Sequence, residues 1–165
     1  MKPIKIACYP NITIKTVVKR LNKFSVLVRN NGKTSLALLR NTGRLENLVF
    51  EGAKALCIPR SGGGKTSYVM LGVLVDERNA ALVDTKEQML CFEKAVEHGF
   101  LPWLKNWKIV SKEVVLDSIR IDYRILGSSK EEGFLEVKSA VKCQGEYAMY
   151  PDCPTKRGRK HIEVL

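Results

Sequence analysis

The chain has 165 residues, of which 45% are apolar and 27% charged, and its formal net charge is +11. This length holds one ordinary domain or two small ones, and the composition is that of a soluble globular protein. No run of about 18 apolar residues and no signal-peptide apolar region occurs, so we expect a cytoplasmic protein with no membrane partner. The five cysteines form no C-x-x-C pair and the two histidines lie far apart, which disfavours a zinc site or a disulfide framework.

The positive charge is concentrated in the first half of the chain. Residues 1–83 carry 14 Lys and Arg against 4 Asp and Glu, a net charge of +10, whereas residues 84–165 carry 14 against 13. A basic half attracts a polyanion, most simply the nucleic-acid backbone. The competing explanation is a lysine-rich thermophile surface, which usually brings matching glutamates that this half lacks. We therefore expect residues 1–83 to bind nucleic acid.

The first half is predicted to be β throughout. Asn31-Gly32, between two apolar runs, is the residue pair that a type I′ hairpin turn requires. Many short strands joined by polar turns fit a five-stranded OB-type barrel over residues 1–83, a fold that commonly carries a basic groove for nucleic acid. The predicted strands are Ile4–Cys8, Ile14–Arg20, Phe24–Arg29, Thr34–Arg40, Ala53–Pro59, Ser67–Val75 and Ala80–Val83.

A glycine-rich loop, residues 61–66, ends in Gly64-Lys65-Thr66 like a phosphate-binding Walker A loop. The Walker A pattern needs a glycine five residues before Gly64, where Pro59 stands, and a helix after the loop, where a strand is predicted. Without the helix N-terminus the phosphate-cradling geometry is lost, so no nucleotide cofactor is expected. The loop is instead predicted to be a hairpin loop that contacts a nucleic-acid phosphate through Arg60 or Lys65.

The pattern changes at Asp84-Thr85, where Thr85 is a candidate N-cap and apolar residues then follow at helical spacing until Gly99. The order of predicted elements from residue 84 is helix, three strands and a final helix, which makes residues 84–165 a second domain. The three strands are Ile109–Leu116, Ile119–Leu126 and Phe134–Val141, and the final helix covers Lys156–Leu165.

A hairpin in this second domain is predicted to bring two carboxylates and a lysine together. The strand with Asp122 and the strand with Glu136 and Lys138 are separated by the turn residues Gly127-Ser128-Ser129. Alternate strand residues share a face, so Glu136 and Lys138 point the same way and Asp122 can meet them. Two carboxylates hold a hard divalent cation, and a lysine positions water or stabilises developing charge. These are the groups that a metal-assisted phosphodiester cleavage site uses, but alternating charge on a solvated sheet face is ordinary and is the commoner origin of such a pattern.

Four ordered motifs are Asn41–Leu45 (NTGRL), Arg120–Tyr123 (RIDY), Glu136–Ser139 (EVKS), and Pro151-Asp152 followed by Thr155–His161 (TKRGRKH). With them the chain resembles the sugar fermentation stimulation protein A family over essentially its whole length. The resemblance implies an α+β protein in which an N-terminal OB-type barrel precedes a PD-(D/E)XK nuclease-like α/β domain with DNA-binding activity. Family members continue beyond the equivalent of Leu165, so residues 84–165 are expected to form that domain incompletely, truncated at its C-terminus.

The resemblance also implies roles for individual acidic residues. It places Asp122, Glu136 and Lys138 at the catalytic positions of the nuclease fold, with Asp122 and Glu136 as ligands to Mg²⁺, or to Mn²⁺ in its place. Glu93, on the first predicted helix, falls where such folds often place a further acidic ligand. A solvated helix face is the alternative for Glu93.

Basic residues in two of the motifs are candidate nucleic-acid contacts. Arg44 either contacts phosphate or pins the two halves together through a salt bridge. Arg157, Arg159 and Lys160 form a compact basic cluster at a predicted helix start, and phosphate binding competes there with a solvated charge run. His161 is either a general acid or base or the partner in a structural hydrogen bond.

Three functions are compatible with these residues. The first is a DNA-binding protein with a nuclease-like metal site, of low sequence specificity because no helix-turn-helix or zinc-finger pattern offers base readout. For this protein the family resemblance implies a regulatory role in sugar metabolism. The second is an active Mg²⁺-dependent DNA endonuclease, and the third is a single-stranded RNA-binding OB protein. The sequence leaves open whether the chain is an enzyme, and it assigns no oligomeric state.

Overall fold

The structure is a computed structural model that describes residues 4–62, 64–150 and 156–165, with the side chains of Lys142, Cys143 and Arg157 left out of the description. The chain divides into two compact units, one containing residues up to Gln88 with the segment from Ser139, the other Met89–Lys138 with the C-terminal helix. The elements are β1 (Thr13–Arg20), β2 (Ser25–Asn30), β3 (Lys33–Leu38), β4 (Lys54–Pro59), β5 (Tyr68–Leu74), β6 (Ala80–Leu82), α1 (Thr85–Glu97), a 3₁₀ turn (Pro102–Leu104), β7 (Trp107–Leu116), β8 (Ile119–Gly127), β9 (Glu132–Leu135), β10 (Lys142–Gln144), β11 (Tyr147–Met149) and α2 (Lys156–Val164).

The first unit contains a closed five-stranded barrel. The sheet order is β3-β2-β1-β4-β5-β6, and a parallel pairing between β3 and β5 closes the ring. Closure pairs each of the five barrel strands on both sides, and β6 is added beside β5. Alternate side chains such as Val26, Val28 and Cys57 fill the interior without exposed surface. The hairpin turn at Asn31-Gly32 has positive φ at both residues, 49° and 77°, as a type I′ turn requires. The predicted OB-type barrel is confirmed.

One predicted strand of the first unit is wrong. Residues Ile4–Cys8 form no strand, although the other six predicted strands are observed within a few residues of their predicted bounds. A strand needs a partner for its backbone groups, and the barrel is already closed by the β3–β5 pairing. Ile4 is half exposed, so its apolar side chain contributes little to a core.

The helix α1 begins with a different capping residue from the one predicted. Asp84, immediately before the helix, accepts a hydrogen bond from the Glu87 backbone N–H at 3.1 Å through its side chain, which is the N-cap contact. The predicted cap, Thr85, instead donates its hydroxyl to the Arg40 carbonyl oxygen at 2.6 Å. The side chain of Asp84 has no exposed surface and also pairs with Arg40 at 2.6 Å.

The second unit is an antiparallel three-stranded sheet with the part of α1 from Met89 onward and with α2. The sheet order is β7-β8-β9, and α2 packs against β8. Tyr123 and Ile125 of β8 and Leu104 form its buried core, with Phe92 from α1 packed against the Tyr123 ring at 5.5 Å between centroids. The predicted turn at Gly127-Ser128-Ser129 joins β8 to β9.

The last predicted strand, Phe134–Val141, is shorter in the structure, because β9 ends at Leu135. Beyond the Tyr123–Leu135 pair, side chains take the backbone donors that a sheet ladder would use. The Val137 N–H donates to the Asp122 carboxylate, and the Asp122 N–H donates to the Glu136 carboxylate. Glu136 and Lys138 therefore follow the strand rather than belong to it.

A short hairpin in the first unit was not predicted. β10 and β11 pair as antiparallel strands of three residues each, joined by a two-residue turn in which Gly145 has a φ of 59°. Three-residue strands are too short to show an alternating pattern in the sequence. Within the described residues, no helix is long and apolar enough to cross a membrane.

Candidate functional site

Asp122 and Glu136 lie opposite each other at the end of the β8–β9 pairing. Tyr123 pairs with Leu135, and the same register continued by one residue brings Asp122 to Glu136. The Val137 N–H donates to Asp122 Oδ2 at 2.8 Å, and the Asp122 N–H donates to Glu136 Oε2 at 3.2 Å. Each carboxylate is thus held by backbone of the opposite segment, which fixes both side chains at the sheet end.

Two cationic or polar side chains converge on the other oxygen of Glu136. Lys138 Nζ donates to Glu136 Oε1, and His161 Nδ1 lies 2.6 Å from the same oxygen. Lys138 Nζ is 3.4 Å from His161 Nδ1. The Glu136 side chain is 7% exposed and the His161 side chain 2%. The predicted trio of Asp122, Glu136 and Lys138 therefore comes together, with His161 as a fourth member.

His161 reaches this site from the buried side of α2. The helix is strongly basic, and Arg159 and Lys160 on it are exposed, whereas Gly158 and His161 are buried. A buried imidazole is stable only if its nitrogens find polar partners, and Glu136 supplies one. The sequence identified His161 as a candidate but gave no signal for its partner, because Glu136 lies 25 residues earlier in the chain.

The site shifts the pKa of Asp122 upward. Burial is the main cause because it disfavours the charged carboxylate, and the nearby Glu136 carboxylate acts in the same direction. The hydrogen bond from the Val137 N–H, and the positive charges of Lys138 and His161, act in the opposite direction. Any further positive charge near the Asp122 oxygens would therefore stabilise its charged form.

Glu93 lies in a separate network of the same unit. Its Oε1 accepts the Tyr123 hydroxyl at 2.9 Å, and its Oε2 pairs with Lys112 Nζ at 2.7 Å. Burial is the main cause that raises the pKa of Tyr123, and the bond to Glu93 adds to it. Among the residues that the structure describes, no group of three or more His, Cys, Asp or Glu side chains is arranged to hold a metal ion. The structure thus does not bring Glu93 to Asp122 and Glu136 as a third ligand.

The two remaining carboxylates still fit a hard divalent cation. Mg²⁺ is typically bound by one or two carboxylates, with water and substrate phosphate oxygens completing its octahedron. Asp122 and Glu136 supply carboxylate oxygens at one place. Burial raises the pKa of Asp122, and a cation bound to its oxygens would lower that pKa again because it stabilises the charged carboxylate. Lys138 and His161 would have to share Glu136 with that cation.

The predicted nucleic-acid contacts are distributed over both units. Arg44, Arg60 and Lys65 are exposed in the first unit, and the Arg60 guanidinium donates to the Thr66 hydroxyl. The sequence analysis considered a salt bridge for Arg44. The ion pair observed in the first unit is instead made by Arg40, which contacts Asp84 and Glu87 and was not predicted to do so. Its only signal was the capping pattern Asp84-x-x-Glu87. Arg159 and Lys160 are exposed on α2, and the side chain of Arg157 lies outside the described part of the chain.

Family models match both parts of the chain. The model described as "SfsA N-terminal OB domain" matches residues 18–83, and that described as "Sugar fermentation stimulation protein RE domain" matches residues 86–165. A sugar fermentation stimulation protein homolog of Pyrococcus furiosus is 44% identical over 90% of this chain and 63% of its own length. A homolog of Moorella thermoacetica is 31% identical over 94% of this chain and 67% of its own length.

A solved structure shares this fold over nearly the whole chain. It is the structure of Pyrococcus furiosus SfsA in complex with Ca²⁺, with a TM-score of 0.90 and 40% identity, over 99% of this chain and 69% of that one. The chain spans 63% of the length of the curated Pyrococcus furiosus relative. On these matches the chain belongs to the sugar fermentation stimulation protein family.

Proposed function

We propose that the chain is a DNA-binding protein of low sequence specificity whose second unit holds Mg²⁺, or Mn²⁺, at a nuclease-like site. The observation that carries the proposal is the pair of carboxylates, Asp122 and Glu136, each held by a backbone N–H of the opposite segment. The Lys138 ammonium donates a hydrogen bond to Glu136 beside them. Two carboxylates can hold the cation that metal-assisted phosphodiester hydrolysis uses, and a lysine can stabilise the charge that develops on the phosphate. The solved Pyrococcus furiosus SfsA structure is a complex with Ca²⁺, a hard cation that oxygen ligands also bind.

The side chains divide the work of such a site. Asp122 and Glu136 would hold the cation, which supplies Lewis acidity toward a phosphoryl oxygen and an activated water. Lys138 has its ammonium beside Glu136 and is placed to stabilise negative charge that develops on the phosphate. The His161 side chain is 2% exposed and its Nδ1 contacts Glu136, so we assign it to positioning Glu136 rather than to proton transfer.

DNA binding is supported by charge. Residues 1–83 carry a net charge of +10, and Arg44, Arg60 and Lys65 are exposed there. Contacts of this kind read the phosphate backbone and carry no sequence information. They predict binding that weakens steeply with salt, because phosphate contacts release counterions.

A second candidate function uses the same fold for binding without cleavage, as a regulatory DNA-binding platform. The observation that favours it is the occupation of Glu136 Oε1 by both Lys138 and His161. These groups already compensate the carboxylate charge. In that case the carboxylates serve as a docking point for a cation, or as a structural ion-pair cluster.

The test combines cation binding with plasmid nicking. Wild type, Asp122→Asn and the matched control Glu132→Gln are titrated with Ca²⁺ and Mg²⁺ by calorimetry and then incubated with supercoiled plasmid. Glu132 is an exposed carboxylate of the same hairpin, paired with Arg124 at 3.0 Å. We expect Asp122→Asn to lose cation binding and to reduce nicking about 100-fold or more, the scale of losing one charge-stabilising group.

Each outcome has a distinct meaning. Nicking that survives Asp122→Asn contradicts the assignment of the site. Cation and DNA binding without nicking in any variant supports the platform over the enzyme. A wild type that binds single-stranded RNA in preference to DNA of the same sequence, with no cation binding, supports the RNA-binding alternative.

A further inference from the structure

An open cleft of about 780 Å³ adjoins the carboxylate site within the second unit. One wall is the start of β8, with Ser118 and Arg120, and the other is α2, with Lys156, Lys160, His161 and Glu163. The volume is within the range of ligand sites in proteins. The turn before β8 is tight, because Asp117 and Ser118 both have positive φ, 45° and 64°.

The lining of this cleft is cationic. Lys156 and Lys160 are four residues apart on α2, so their side chains share one face of the helix. Both are exposed, and no ion pair found between described residues involves either of them. Arg120 opposes them from β8, and its contact with Glu113 at 3.8 Å joins two exposed side chains, an arrangement that holds a guanidinium only weakly. Glu163 is the single carboxylate among the described lining residues.

His161 links the cleft to the carboxylates. It lines the cleft, and its Nδ1 is 2.6 Å from Glu136 Oε1. An anion seated between the two lysines and Arg120 would thus lie one side chain away from Glu136. Successive phosphates of one nucleic-acid strand are the anions that would occupy two neighbouring sites of this kind.

We propose that this cleft seats a backbone phosphate of a DNA strand next to the phosphodiester that lies at Asp122 and Glu136. The proposal rests on the proposed function, because the cleft would hold the DNA strand beside the phosphodiester that lies at the two carboxylates. Arg120 and Lys156 are additional to the contacts that the sequence pointed to, and Lys160 is shared with them. The Ser118 hydroxyl is a further donor for a phosphate oxygen.

The experiment measures DNA binding by fluorescence anisotropy in Ca²⁺ at several salt concentrations. The test variant is Lys156→Gln/Lys160→Gln, and the matched control is Lys105→Gln/Lys108→Gln, which removes two exposed charges of the same unit away from the cleft. Loss of the one phosphate contact lowers the salt slope by about 0.9, so between about 50 and 200 mM salt the wild-type affinity should fall about 3.5-fold more than that of the test variant. The control should keep the wild-type slope.

A DNA strand with neutral methylphosphonate linkages removes the same charges from the other partner. The test variant should bind this strand about as well as wild type does, because the contact is then absent in both. Polyglutamate as competitor separates a phosphate seat from a general polyanion surface. Displacement of DNA from wild type by polyglutamate at equal charge concentration contradicts the proposal.

Two results overturn the proposal outright. One is a test variant with the wild-type affinity and salt slope, and the other is an equal loss in the control. Ca²⁺ titration of the test variant keeps this failure distinct from failure of the proposed function. A test variant with unchanged Ca²⁺ affinity and weakened DNA binding supports the phosphate seat. A wild type that binds no Ca²⁺ contradicts the cation site. The DNA binding of Lys156→Gln/Lys160→Gln is then still judged against that of Lys105→Gln/Lys108→Gln.

Discussion

The barrel unit and the second unit use charge in different ways. Residues 1–83 carry a net charge of +10, and most of the described cationic side chains are exposed around an aliphatic core in which Val26 and Val28 have no exposed surface. The second half of the chain is nearly neutral, yet Glu136 and His161 of the second unit are buried and in contact. A backbone-binding surface needs net charge without fixed geometry. A cation site needs the opposite, a few oxygens held in place, and net charge matters little to it.

Holding those oxygens changes the sheet itself. The Asp122 and Glu136 carboxylates accept backbone N–H groups that would otherwise extend the β8–β9 ladder, and β9 is four residues long. Backbone donors must be satisfied in one way or another. In the second unit the two carboxylates satisfy backbone N–H groups in place of a neighbouring strand. In the barrel, neighbouring strands do so around a closed ring.

The barrel unit also contains a buried charge, the carboxylate of Asp84, and its removal is expected to have the largest effect. Asp84→Ala removes the carboxylate that pairs with Arg40 at 2.6 Å and caps α1. The change removes both the helix cap and the closer ion pair, but Glu87 at 3.4 Å still compensates the partly exposed Arg40. We therefore expect a loss of about 2–3 kcal/mol in the free energy of unfolding. Urea denaturation measures it, with the exposed Glu77→Ala as control. A loss below about 1 kcal/mol would show that Glu87 and solvent together compensate Arg40.

The second prediction tests whether the barrel unit supplies most of the DNA affinity. Arg60→Gln/Lys65→Gln removes two exposed charges from the loop between β4 and β5. We expect the slope of log affinity against log salt to fall by about 1.8, with weaker binding at every salt concentration. The comparison is Lys105→Gln/Lys108→Gln, which removes equal charge from the nearly neutral half. Equal losses in both variants contradict a binding role specific to this loop.

The third prediction separates the Glu93 network from the carboxylate site. Tyr123→Phe removes the hydroxyl that donates to Glu93 at 2.9 Å, and we expect a loss of about 1 kcal/mol in stability. Tyr147→Phe is the control, since Tyr147 is 76% exposed and in the other unit. Ca²⁺ affinity should stay unchanged in both variants. A Tyr123→Phe variant that loses Ca²⁺ binding would make Glu93 part of the cation site after all.

Local rules account for the parts of the fold that the sequence predicted. The barrel strands follow from alternation, and the Asn31-Gly32 turn follows from the φ values it must adopt. The meeting of Asp122 and Glu136 followed from one hairpin turn and its register. These features depend on neighbours within a few residues or across a single turn.

The features that were missed depend on competition or on distance. Asp84 and Thr85 are both good capping residues, and Arg40 decides between them from 44 residues away. The end of β9 depends on side chains that outcompete the ladder for two N–H groups. His161 and Lys112 meet their partners only through tertiary packing, so neither contact leaves a local pattern.

The smallest predicted effect concerns the pH dependence of the second unit without a cation. The pKa of Asp122 is raised above its ordinary value of 3.8, mainly by burial. The folded chain therefore keeps this proton to a higher pH than the unfolded chain, and stability falls as the pH rises through that interval. Asp122→Asn lacks this loss while its amide oxygen still accepts the Val137 N–H. In chelator, we expect Asp122→Asn to gain stability relative to wild type as the pH rises from below 3.8 to neutral.

Denaturation midpoints at each pH measure this gain, and the same series for Glu132→Gln removes the general effect of one lost negative charge. A relative loss for Asp122→Asn as the pH rises would mean that the Val137 hydrogen bond, Lys138 and His161 outweigh burial, so that the site holds its carboxylates fully charged without help. The expected gain means that the folded chain carries an electrostatic cost at Asp122. A bound cation would relieve that cost, and the same wild-type protein should then regain stability at neutral pH when Ca²⁺ is added.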